Sequence, residues 1–172
     1  MENTTVSHDQ YLELPVFGLG TPLFYITHYS ALSSIGISAI FTFGTIIYMI
    51  KSTDCKHFWK WPVSSRLVMY LSLSDILRDI VHGIDHCVYV ILKRHPPDLL
   101  CQWFSYFVHS FLLSQGLVVT VTAIGAFLLV AKGKSFNLGR FDWGLFVLAY
   151  VSPAILNGFF LYFGYLGPTG AW

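Results

Sequence analysis

Apolar runs of membrane-crossing length recur along the chain, separated by short polar segments. The first extends from about Leu23 to Ile50 and contains no Asp, Glu, Lys or Arg. A second, from about Arg66 to Leu92, is apolar except for the stretch SLSDILRDIVHGIDH at residues 72–86. Between Cys101 and Lys132 lie thirty residues without a formal charge, and a fourth run covers about Trp143 to Leu166, interrupted by Pro153 and Gly158. Roughly 20 apolar residues in a helix cross the hydrocarbon core of a bilayer. The pattern therefore predicts an all-α membrane protein with four transmembrane helices, over residues 23–50, 66–92, 101–131 and 143–166. The third would be about 45 Å long at 1.5 Å per residue, against about 30 Å of hydrocarbon, so it should tilt or project. Residues 1–22 form a tail before this helical domain of residues 23–172. It has no basic leader and no apolar stretch before Pro15, unlike a signal peptide. Pro15, Gly18, Gly20 and Pro22 hold off helix until the first span.

Composition sharpens the membrane reading. Hydrophobic residues make up 55% of the 172 and charged residues only 11%, whereas about a quarter of a soluble domain is charged. No basic cluster with interleaved aromatics exists, which excludes nucleic acid as an expected partner. Loop charges predict orientation. Lys51, Lys56, Lys60 and Arg66 follow the first run, and Lys132, Lys134 and Arg140 follow the third. The other side carries only Lys93 and Arg94, so the positive-inside rule places the N-terminus outside the cell. Asn3-Thr4-Thr5 is a candidate glycosylation site in that outer tail. Cys101 then sits where a disulfide is permitted and Cys55 where a thiol is expected; a Cys87–Cys101 bridge competes with a packed free thiol.

The charged stretch sets the problem of function. Insertion scales charge about 2.5–3.5 kcal/mol for an Asp or Arg at the centre of a lone span, so Asp75, Arg78 and Asp79 would cost roughly 7–10 kcal/mol together. Shelter follows from spacing: Asp75, Arg78, Asp79, His82, Asp85 and His86 share one stripe of a helix, and Asp75–Arg78 can pair within it. Leu73, Ile76, Leu77, Ile80, Val81 and Ile84 are expected on the other faces, toward lipid. Depth divides the stripe. Asp75, Arg78, Asp79 and His82 form a candidate intramembrane polar network, while Asp85 and His86, with His109 of the third span, are candidates for meeting an outside ligand.

Four readings fit such a stripe. It can stabilise one of two helix arrangements in a receptor, relay protons or ions, hold a metal through His82 and His86 at i, i+4, or only bind the bundle together. A metal needs further ligands. The remaining membrane histidines are His28 and His109, and no second His-x-x-x-His occurs, so no metal, cofactor or enzymatic activity is expected.

Several motifs, in order, resemble one family. WPVSSRLVMYLSLSD (61–75), VHGIDH (81–86), PPDLLCQW (96–103), FNLGRFDWGL (136–145) and YLGPTGAW (165–172) are similar to stretches of the cAMP-receptor-like G-protein-coupled receptors of fungi and amoebae, often grouped with the secretin-like profile. The set covers about residues 50–172, and its order is what makes it specific. The resemblance implies a plasma-membrane receptor for an unknown extracellular ligand, partnered by a heterotrimeric G protein. Lys56, Lys60, Arg66, Lys132, Lys134 and Arg140 become candidates for the cytoplasmic surface, in competition with anionic lipid. Such receptors have seven spans, whereas this chain ends after four, which implies a fragment. The disulfide partner of Cys101 would then lie beyond Trp172. The third span ends AFLLVAKGKSF, without Asp-Arg-Tyr, so the rhodopsin-like arginine switch is not expected.

Overall fold

The computed structural model describes residues 16, 18–53, 55–133 and 138–166, without the side chains of residues 53, 55–57 and 140. Asn3 and Lys134, and the side chains of Lys56 and Arg140, lie outside the described residues.

Among the described residues the architecture is all-helical. Helix α1 (Pro22–Thr53) begins after a turn at residues 18–20. Pro22 suits the first helical position because its missing N–H would have had no partner there. Gly18 is required in that turn: its φ is +70°, and a Cβ would stand 3.1 Å from the Phe24 nitrogen. A 3₁₀ turn (Cys55–Lys60) leads into α2 (Val63–Leu92), which ends on Lys93 in the left-handed region. Helix α3 (Asp98–Lys132) runs 35 residues, about 52 Å, to a left-handed Gly133. A short 3₁₀ turn (Arg140–Asp142) precedes α4 (Trp143–Tyr162).

Helix α4 contains a π-helical turn at Val147–Val151, just before Pro153. Proline has no N–H to return to the carbonyl four residues back, and the wider turn absorbs that fault. The helix stops at Tyr162 rather than at Leu166. Gly164, at φ +70°, closes it: the Gly164 N–H donates to the Leu161 carbonyl at 3.1 Å and the Tyr165 N–H to the Phe160 carbonyl at 2.9 Å. These are the two bonds of a Schellman cap.

Three helices are long and apolar enough to cross a membrane: Pro22–Ser52, Asp98–Lys132 and Trp143–Tyr162. Only 11%, 17% and 22% of their most apolar windows are buried in the bundle, so their side chains mainly face outward. Ile40, Phe41, Phe127, Val130 and Ile155 are among the large apolar residues left exposed. In water such a surface would drive association; in lipid it is matched by its solvent. Helix α2 has the length but carries the charged stripe.

Neighbouring helices in sequence pack antiparallel, α1 on α2 and α2 on α3, while α4 packs on α3. One end of the bundle holds Pro22, Leu92, His95 and Asp98; the other holds Arg66 and Asp142. A core of Leu67, Val118, Val121, Leu138, Leu145 and Ala149 fills the Arg66 end, and Val16, Phe24 and Tyr89 pack together at the His95 end. Between them the interior is polar.

Candidate functional site

Helix α2 faces a different neighbour at each level, and at each level its polar stripe is met by polar groups. At the His95 end, His28 of α1 and His86 of α2 are both buried, with their Nδ1 atoms 2.8 Å apart. His86 Nε2 is in turn 3.1 Å from His82 Nε2. The i, i+4 spacing stacks His82 and His86 on one face, and the antiparallel start of α1 delivers the third ring. His28 lies between Phe24, at a ring distance of 4.5 Å, and Tyr89, at 5.7 Å and nearly parallel. The Tyr89 hydroxyl is 3.5 Å from His95 Nδ1, and burial holds His95 below the usual imidazole range. Asp85 is buried beside this group, interacting with Tyr89 and with Cys101 of α3.

At mid-height the stripe carries two carboxylates and one guanidinium. Arg78 Nη2 is 2.9 Å from Asp79 Oδ1 and 3.3 Å from Asp75 Oδ1. Gln115 of α3 closes the ring: its Oε1 accepts from Arg78 Nη1 at 2.6 Å, and its Nε2 donates to Asp75 Oδ1 at 2.7 Å. Two formal negatives against one positive leave the group one charge negative. Asp79 is 3% exposed, and its Oδ2 is buried without a hydrogen-bond partner. Such an atom carries a desolvation cost of about 1–3 kcal/mol.

Lower still, Ser74 Oγ and Tyr150 Oη of α4 are 2.9 Å apart, and Tyr150 donates to the Tyr70 carbonyl at 2.9 Å. Asp142 ends the column. Its carboxylate accepts from Arg66 Nε at 2.7 Å, Arg66 Nη2 at 2.9 Å and the Tyr70 hydroxyl at 3.1 Å. Arg66 also donates to the carbonyls of Trp61, at 2.6 Å, and Trp59, at 3.3 Å. Phe141 and Asp142 both adopt positive φ, +57° and +54°, a strained choice for non-glycine residues. The two-pronged ion pair holds that bend in place and fixes the start of α4 against the start of α2.

The structure redistributes the expected residues. Asp75, Arg78, Asp79, His82, Asp85 and His86 share the stripe, but the last two divide: His86 joins the imidazole row, while Asp85 is buried within electrostatic reach of Tyr89 and Cys101. Ile76, expected on the lipid side, is 6% exposed and packs inward. His109 is exposed on α3, bonded at 2.8 Å to the Ser105 carbonyl of its own helix, and does not reach the row. Cys87 is exposed, Cys101 is buried, and both are free thiols, so no bridge joins them. Lys60 and Lys132 are exposed, whereas Arg66 is folded into the bundle.

His28, Gln115, Tyr70, Tyr150 and Asp142 are the partners that sequence reasoning did not assign. The first two were detectable as polar residues inside otherwise apolar runs, and Asp142 as a lone acid at a span start. No pattern of spacing linked them to α2. Among the described residues, no cluster of His, Cys, Asp and Glu has metal-binding geometry. His86 directs its two ring nitrogens to different histidines, so the row does not converge on one point. No protein-family model, curated protein or solved structure matches the chain.

Proposed function

We propose that the chain is the helical membrane portion of a G-protein-coupled receptor, with α2 as the fourth membrane-crossing helix. In this reading the N-terminus and the His95 end face outside at the plasma membrane. The ordered motif resemblance over residues 50–172 supports the family, and the distribution of loop lysines and arginines supports the orientation. The observation that carries the mechanism is the polar column on α2. It touches α1 at His28, α3 at Gln115, α4 at Tyr150 and, in the turn before α4, Asp142. An outside ligand that repositions α1 against α2 would thereby alter how α2 sits on α3 and α4. Population of the second packing would present the inner loops, with Lys60 and Lys132, to a heterotrimeric G protein.

Copurification with heterotrimeric G protein from membranes, followed by nucleotide exchange, tests this reading. The expected result is association that GTP analogues weaken and that Asp75→Asn changes while leaving helicity intact. Absence of association under every condition overturns it. A second reading, proton or ion translocation, draws on the same column because ionisable groups line it from His28 to Asp142. Reconstituted liposomes decide between them: a proton flux abolished by Asp75→Asn favours translocation.

A further inference from the structure

We propose that His28, His86 and His82 form a binding site for one proton, and that a second proton releases the start of α1 from α2. This proposal is independent of G-protein coupling, since it concerns only the state of the row.

A contact between two imidazole nitrogens at 2.8 Å or 3.1 Å needs one hydrogen on one ring and a lone pair on the other. With three neutral rings, two arrangements satisfy both contacts. Either His86 donates from Nδ1 to His28 and accepts at Nε2 from His82, or both donors reverse. A single added proton suits the row equally well. As an imidazolium, His86 donates from both nitrogens, and His28 Nδ1 and His82 Nε2 each supply a lone pair. Both contacts persist, and they persist equally with the proton on His28 or His82, when every N–H along the row points the same way, so the charge belongs to the row as a whole. A second proton cannot be placed without turning one N–H toward another, so it breaks a contact and adds a second cation to a row whose neighbouring rings lie 5.0 Å (His28–His86) and 4.7 Å (His82–His86) apart.

The titratable groups around the row come from α2, α3 and the segment between them. From α2, Asp85 adjoins His86 in sequence, and Asp79 and Arg78 act on His82 with opposite signs. Tyr89 of α2 lies against His28, Cys101 of α3 lies beside Tyr89 and Asp85, and His95 of the intervening segment meets the Tyr89 hydroxyl. Helix α1 contributes no charged side chain between Leu23 and Ile50.

Binding, rather than conduction, follows from packing. A proton that passed through would leave every ring in the opposite tautomer, and the rings would have to turn over before another could follow. His28 is held between Phe24 and Tyr89 and is 2% exposed, which opposes that reset.

Imidazole-¹⁵N NMR of the full chain in lipid nanodiscs, titrated from pH 8 to pH 4, tests the site. The expected first step adds one proton to the row while coupling across the His28–His86 contact persists; that coupling is lost in the second step. His86→Gln should remove the first step and leave His28 and His82 titrating independently. Three independent titrations in the wild type, or loss of the coupling in the first step, overturn the proposal. Should His86→Gln fail to fold by circular dichroism, His82→Gln serves: its amide oxygen can accept from His86, so the first step must persist, and its disappearance is equally fatal.

Discussion

Replacing Arg66 by Gln should destabilise the bundle by about 3 kcal/mol, at the lower end of the 3–5 kcal/mol typical when one partner of a buried ion pair is removed. The lower end is appropriate because the Arg66 side chain retains 12% exposure, whereas that of Asp142 retains 2%. The substitution deletes both prongs to the carboxylate, at 2.7 and 2.9 Å, and the donors to the Trp59 and Trp61 carbonyls. Asp142 keeps the Tyr70 hydroxyl at 3.1 Å, too little to offset a buried charge. Adding Asp142→Asn should relieve much of the loss: asparagine carries no charge, tolerates φ +54° better than most residues and still accepts from Tyr70. The double-mutant cycle should therefore show a coupling of about 2 kcal/mol, within the range for residues in one network. Unfolding in mixed detergent micelles, followed by far-ultraviolet circular dichroism, measures all four species. The reasoning fails if Arg66→Gln costs under about 1 kcal/mol, or if Asp142→Asn adds its own penalty instead of relieving the first.

Two further outcomes follow from the same geometry. Gln115→Leu removes the link that joins Arg78 and Asp75 to α3, and should cost about 1 kcal/mol in the same unfolding measurement, near twice the average for one interhelical bond in a membrane; no loss would mean that the two residues pair without α3. His95 offers a pH test with a defined sign. Burial holds its ring below 6.5, so the folded chain binds fewer protons there than the unfolded chain does, and stability must fall as pH drops through 6.5 and level off below the folded value. His95→Asn should flatten that decline over the same range, and an unchanged profile would contradict the assignment.

Much of this organisation is written in local pattern. Runs without charge can satisfy their backbone only as helices in lipid, so α1, α3 and α4 follow from length and hydropathy. The i, i+3, i+4 spacing alone places Asp75, Arg78, Asp79, His82 and His86 on one side of α2. Gly164 was visible as a residue type, but only its left-handed geometry shows that it ends α4 at Tyr162. What faces the stripe was decided elsewhere, because a helix's periodicity describes its own surface and carries no information about the neighbour's register. His28 could have met lipid, Gln115 could have pointed away, and Asp142 could have remained a loop acid. Antiparallel packing and the bend at Phe141–Asp142 brought each to α2 at a particular height. The same long-range choice turned Ile76 inward and left His109 outside. Sequence therefore determined that α2 needs polar company, and tertiary structure determined which residues keep it.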